Sequence, residues 1–341
     1  MVIGITNEQE RRTIVPTLVI GVGGTGLEVI MRLRRLVVES YGSLSALPIL
    51  GFLHIDTDRN VQISGDKRRL AGPPLQEYEK FWAQVPLNKA QEIVTQPRNY
   101  SWYHEWLPKG LIKEPGSLAS AEGAGQIRAC GRFAFFFNYE KIRNKCSESK
   151  DLITGHQDFM NSNYQLSVDG TKVNVFVVAS ISGGTGSGML IDLGYCLRNW
   201  FPNSVETVAI IPSPEAFNEV SNKPEFHCNG YAALMELNYY STPSQPFDFK
   251  YGPNEGSRVN SQERPYDYIY LVGTQTGGTK PEQGINLRLD DLREMIAQNI
   301  FLDLMSEFSF VKRSLRDNIK KKSQNKWDDP LLVVAAIPAL S

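Results

Sequence analysis

Five runs of β-branched and other apolar residues, each stopping at glycine or a turn residue, set what this chain can fold into. They are "TIVPTLVIGVGG", "LPILGFLHIDTD", "KVNVFVVASISGG", "VETVAIIPSP" and "YDYIYLVGTQTGG". Their apolar character is continuous rather than alternating, so each predicts a strand covered on both faces, as in a parallel sheet. Helical patterns fill the intervals: "LEVIMRLRRLVVESYG", "GMLIDLGYCLRNWF" and "NGYAALMELNYY". Strand and helix in alternation predict an α/β doubly wound domain with a mostly parallel sheet. A longer helix, "LDDLREMIAQNIFLDLMSEF", carries Leu289, Leu292, Ile296 and Ile300 at helical spacing.

Composition narrows the function classes. With 341 residues, 41% of them hydrophobic, the chain can bury one large core or two modest ones. Lys+Arg 36 against Asp+Glu 37 leaves a formal charge of −1, which points to neither nucleic acid nor an anionic membrane. The apolar runs fall short of the ~20 residues of a membrane helix, and "MVIGITNEQERR" lacks the order of a signal peptide. The four cysteines form no CxxC pair and the four histidines no HExxH, so neither a disulfide framework nor structural zinc is expected. The expected location is the cytoplasm.

Two stretches interrupt the rhythm. Residues 65–117 carry prolines and Trp82, Trp102 and Trp106, which suit either a protein–protein surface or a satellite core. Residues 242–265, "TPSQPFDFKYGPNEGSRVNSQERP", are polar and rich in Gly, Pro and Ser, and predict an exposed loop.

Three glycine loops carry the functional signal. "GVGGTG" (Gly21, Gly23, Gly24, Thr25, Gly26) fits G-x-G-x-x-G between a strand and a helix, where backbone amides approach a phosphate. Alone it also fits a tight structural turn. Asp56, at the end of the next strand, suggests a dinucleotide site, but it lies 30 residues after the last glycine instead of the usual ~20. "AEGAGQIRACGR" and "SGGTGSG" follow at 121–132 and 182–188. Loops at the carboxyl ends of several parallel strands converge on one edge of the sheet, and arrays of amides there suit a di- or triphosphate. No P-loop lysine is present, so the phosphates would be held mainly by backbone, Thr185 and Ser187.

These motifs resemble the tubulin/FtsZ superfamily, and the chain looks like a divergent prokaryotic member of it. "SGGTGSG" (Ser182, Gly183, Gly184, Thr185, Gly186, Ser187, Gly188) resembles the signature loop, and "GVGGTG" the first phosphate loop. "DTD" (Asp56, Thr57, Asp58) is similar to the second loop, and "GAGQ" (Gly123, Ala124, Gly125, Gln126) to the third, with Gln for the usual Asn. "IIPSP", containing Pro212, matches a strand end before the ribose loop. The next helix would place Glu225 and Asn229 near the ribose, and Asp291, seven residues before "QNI", resembles the residue that reads guanine. A carboxylate accepts from both N1–H and the exocyclic amine of that base; a helix N-terminal acid is the alternative role. The resemblance spans residues 14–310 and implies a tubulin-like nucleotide-binding domain over 1–310, with the stretches at 65–117 and 242–265 as insertions. It implies GTP or GDP as ligand, Mg²⁺ near Asp58, and self-association into filaments.

The C-terminal part departs from the pattern. The superfamily completes hydrolysis with an N-x-D-x-x-D loop reaching a neighbour's γ-phosphate, where carboxylates position the water. Here "VKRSLRDNIKKKSQNKWDD" offers Asp317 as its one acid before Asp328, and lysines stand at the second acidic position. Residues 311–341 read as a basic connector and the start of a second domain, largely absent, so hydrolysis by this chain alone is expected to be slow. The run Lys312, Arg313, Arg316, Lys320, Lys321, Lys322 and Lys326 suits a patch for an acidic partner or nucleic acid, but with no net positive charge behind it a solvated helix end is the expectation. A tubulin-like GTP-dependent assembly protein is thus the first expectation, a non-polymerising guanine-nucleotide sensor the second, and a NAD-dependent oxidoreductase a remote third.

Overall fold

After a two-residue strand β1 (Thr13–Ile14), strand β2 (Thr17–Val22) is buried at every position, as a strand with helices on both faces must be. The computed structural model describes residues 13–305 except 62, 64, 120–122, 220–223, 243–244 and 275–286, together with residues 318 and 333–334. From β2 the chain runs through α1 (Gly23–Tyr41), β3 (Leu50–Asp56) and β4 (Lys80–Trp82) to the helices α2 (Leu87–Thr95), α3 (Ser101–His104), α4 (Lys109–Ile112), α5 (Arg128–Phe137), α6 (Tyr139–Leu152) and α7 (Gln157–Tyr164). Then follow β5 (Ser167–Val168), β6 (Val173–Ala179), α8 (Gly184–Trp200), β7 (Val205–Pro212) and α9 (Pro224–Ser241). Strands β8 (Phe247–Lys250), β9 (Arg258–Ser261) and β10 (Tyr268–Val272), helix α10 (Leu289–Met305) and β11 (Val333–Val334) complete the order.

Seven strands form one sheet in the order β11-β10-β7-β6-β2-β3-β4, every pair parallel. Side chains alternate across it. Leu18, Ile20 and Val22 of β2 join Phe133 of α5, Ile142 of α6 and Leu193 of α8 on one face. Val19, with Phe176 of β6 and Val208 of β7, meets Val29 and Leu33 of α1 and Ile296 and Ile300 of α10 on the other. The doubly wound sheet expected from the apolar runs is therefore present.

Both interrupting stretches are more ordered than their composition suggests. Within 65–117, β4 adds an edge strand beside β3, and Trp102 and Trp106 pack against the main core. Residues 242–265 correct the expectation of an exposed loop: they hold the antiparallel β8–β9 hairpin. Phe247 and Tyr251 from it are buried in the core, with Phe247 stacked on Tyr195 at 3.8 Å. The aromatic residues outweigh the surrounding Gly, Pro and Ser because each ring removes a large apolar area from water.

A buried ion pair fastens the first of these stretches to the domain. Arg34 of α1, 1% exposed, donates to Glu79 Oε1 at 2.6 Å and to the carbonyls of Pro73 and Pro74 at 2.8 and 2.9 Å. Glu79→Ala strands that guanidinium without its counter-charge. It should lower the unfolding free energy measured in urea by about 3–5 kcal/mol.

The cysteines supply a second check. Burial pushes the thiol of Cys130 up to about 11 and that of Cys146 up to about 12, and raises Cys196 as well. A raised value keeps each as the unreactive thiol at pH 8, whereas Cys228 is exposed. DTNB should titrate one thiol in the native chain and all four after unfolding.

Candidate functional site

The carboxyl ends of β2 and β6 flank the point where strand order reverses: β3 and β4 extend one side of the sheet, β7 and β10 the other. Open α/β sheets place ligands in this crevice. Each of the two strands leads into a helix that starts there. Helix α1 has Val22 as N-cap and α8 has Gly183; neither has a side-chain cap or an acidic residue in its first turn. Among the described residues no side-chain cap takes the leading amides of either helix, and the two dipoles put positive potential in one place.

Between them lies a cleft of about 240 Å³, lined by Gly23–Thr25, Gly183–Gly186, Phe217, Phe226, Glu28 and Arg293. That volume is below the ~300–1,000 Å³ of pockets that bury a whole drug-sized ligand, and suits the phosphate end of a nucleotide.

The glycines here do two different jobs. A Cβ on Gly21 would lie 2.6 Å from the Gly26 carbonyl, and one on Gly26 2.8 Å from Val178 O, so these two let α1 press onto β2 and β6. Gly186 would meet Ser180 O at 2.3 Å, Gly188 the Arg128 carbonyl at 2.3 Å, and Gly184 the Ala124 Cβ at 2.9 Å. Gly183 is the opposite case: a Cβ there meets nothing within 4 Å, and the residue lines the cleft. Gly23 adopts φ +73°, which favours glycine.

Several hydroxyl and acidic side chains expected near phosphate are turned toward the protein. Asp56, 3% exposed, accepts from the Thr57 amide at 2.7 Å, the Asp58 amide at 3.2 Å and Thr185 Oγ1 at 3.1 Å. Thr185 Oγ1 also pairs with Thr57 Oγ1 at 2.6 Å, and Ser187 Oγ donates to Gly183 O. These bonds fix the loop shape. Asp56 Oδ1 is thus held by backbone and Thr185, and its Oδ2 lies 3.6 Å from His54 Nε2. Ser182 Oγ is buried, with no hydrogen-bond partner among the described residues.

The third loop approaches from the side. Gly123, Gly125 and Gln126 have φ of +93°, +54° and +63°, and for the glutamine this left-handed conformation costs about 1 kcal/mol. Asn229 Nδ2 donates to Gln126 O at 2.7 Å and to Ser182 O at 3.1 Å, joining the third loop to the signature loop. Asp58 sits against Gly123, while Pro212 ends β7 and Glu225 is exposed in the first turn of α9.

Charge behind the cleft is organised around α1 and α10. Glu28, 3% exposed, accepts from Arg293 at 2.7 Å and Arg32 at 3.1 Å. Arg32 also pairs with Asp290, and Arg69 reaches Asp290 at 2.9 Å and Asp291 at 2.6 Å. Desolvation lowers the Arg293 pKa from its ordinary value, opposed by Glu28. The hydrogen bond to Asp291 raises that of Arg69. Asp291 is thus engaged by Arg69 and is not among the residues lining the cleft, and Asp317 lies outside the described residues. Sequence reasoning missed Glu28, Arg293, Phe217 and Phe226. The available signal was charge on otherwise apolar helical faces, at Glu28 one turn past the glycines and at Arg293 beside Leu292.

A parallel sheet whose glycine turns set two uncapped helices over its switch point, with a third glycine loop beside them, defines a tubulin/FtsZ-like domain. The sequence matches the tubulin-like family over residues 18–334, and the chain belongs to that family. No curated protein sequence matches it significantly. Among solved structures it is similar to CetZ2 from Haloferax volcanii, a GTPγS-bound protofilament, with 16% identity, TM-score 0.45, and coverage of 88% of this chain and 63% of that one. It is also similar to the tail-truncated TubZ of Clostridium botulinum phage c-st (14%, TM-score 0.44, 87% and 65%). An empty FtsZ dimer from M. jannaschii is a further neighbour (13%, TM-score 0.39, 87% and 54%). The chain spans 54–65% of the length of these three proteins.

The two kinds of glycine separate experimentally. Gly186→Ala should cost about 1–3 kcal/mol in thermal or urea unfolding through overpacking, while Gly183→Ala should stay within about 0.5 kcal/mol of the parent.

Proposed function

We propose that this chain binds a guanine nucleotide, GTP or GDP, with its phosphates over the paired N-termini of α1 and α8, and that the bound nucleotide governs self-association. The observation that carries the reading is the pair of uncapped, acid-free helix N-termini opening into one cleft. Two sets of leading amides acting with two dipoles favour a polyanion over a neutral ligand. Family membership supports the guanine nucleotide and the assembly.

In this reading Gly183–Ser187 wrap the α- and β-phosphates, Gly21–Gly26 support the same region, and Ala124, Gly125 and Gln126 face the γ-phosphate. Phe217 and Phe226, whose ring centroids lie 6.4 Å apart, offer apolar surface to the sugar and base. Asp291 is proposed to read guanine, which requires its pair with Arg69 to open. Asp58 is the acid proposed beside Mg²⁺; its Oδ1 accepts only the Asn60 amide among the bonds described, leaving carboxylate capacity toward the loop edge.

The test is titration with a fluorescent GTP analogue, with GDP and ATP as competitors. GTP and GDP should compete and ATP should not. Gly183→Asp, which points a carboxylate into open space at the phosphates, should weaken binding by about a hundredfold, or about 2.8 kcal/mol, with unchanged unfolding. Undiminished binding in that variant would overturn the reading. Sedimentation with GTP and Mg²⁺ then distinguishes an assembling protein from a nucleotide sensor that stays monomeric.

A further inference from the structure

A cavity larger than the glycine cleft lies elsewhere in the domain. It measures about 560 Å³ and opens where residues 65–117 and 242–265 meet helices α5 and α6. Its volume falls in the ~300–1,000 Å³ range of small-molecule sites. The two sites share no lining residue.

Its walls are aromatic and fixed. Tyr139 stacks on Tyr251 with centroids 4.6 Å apart and planes within 7°, and Phe136 lies 4.4 Å from Tyr251. Tyr103 packs 5.8 Å from Phe136, and all four rings are buried. These rings pack on one another and hold that wall in place, and the part-buried Tyr100, Trp102 and Phe137 also line the cavity.

The rim adds a charge preference. Lys89, Lys141 and Arg143 line the cavity, against Glu140 as its one acid. Lys89 is paired with Glu92 at 2.7 Å and Arg143 with Glu140 at 3.7 Å. Lys141 is exposed, and no acid pairs with it among the described residues. One uncompensated cation therefore stands at the mouth. The indole N–H of Trp102, in the wall, is buried with no acceptor among the described residues.

We propose that this cavity is a second ligand site, independent of the nucleotide cleft, for a small planar aromatic anion. The ring system lies against the part-buried Tyr100, Trp102 and Phe137, and the anionic group faces Lys141. The two stretches that interrupt the sheet then have a common role, each contributing one wall of a binding site that the rest of the domain does not provide.

The probe is 8-anilinonaphthalene-1-sulfonate, an aromatic sulfonate, titrated into the native full chain without nucleotide, with GTP added afterwards, and followed by fluorescence. Saturable binding of one probe per chain is expected. Lys141→Glu should weaken it at least fivefold. Gly256→Trp, at a lining position where an added Cβ meets nothing within 4 Å, should block it by occupying the mouth. Both positions are exposed, so unfolding midpoints should match the parent. Absence of saturable binding, full binding in both variants, or displacement of the probe by added GTP would each overturn the proposal.

Discussion

Contact of backbone with backbone at the carboxyl edge of the sheet is the constraint on which the rest of this structure depends. Helix α1 lies so close to β2 that Gly21 and Gly26 leave no room for a methyl group on either, and α8 is held as tightly by Gly186 against Ser180. These contacts aim both helices at the same point. Without them the sheet would still form, since its strands are held by apolar burial on both faces, but the helix N-termini would not share a cleft. Close packing and the proposed anion recognition thus share one design: the residue type that permits the approach also puts no side chain over the helix ends.

The charged layer between α1 and α10 adds a second level. Arg32 is fully buried and is surrounded by Glu28, Asp290 and Glu294. Buried pairs of this kind contribute little net stability, yet breaking one is costly. Their effect is to fix how α10 lies on α1. Because Glu28 and Arg293 belong both to this layer and to the cleft wall, the position of α10 and the chemistry of the cleft are set by the same atoms.

Much of this was legible in the sequence, and the limits have physical causes. The five continuous apolar runs became β2, β3, β6, β7 and β10, because a strand buried on both faces has no polar positions to blur it. Strand β4 escaped notice, since "KFW" is a three-residue edge strand whose pairing to His54–Asp56 is decided by tertiary contact. The β8–β9 hairpin was hidden by Gly, Pro and Ser around Phe247, Phe249 and Tyr251. The glycine motifs located the loops, but did not tell which glycines serve packing and which face open space. Glu28 and Arg293, 265 positions apart, form a pair that no local pattern encodes.

Cys228 lies in α9 two residues beyond Phe226, which lines the cleft, and directly before Asn229, which ties two of its loops together. It is exposed, while the other three cysteines are sealed in the core. The native chain thus carries a built-in attachment point for an optical label at the border of its candidate site. Occupancy can be followed in real time by a dye on that sulfur, with no residue exchanged to introduce it.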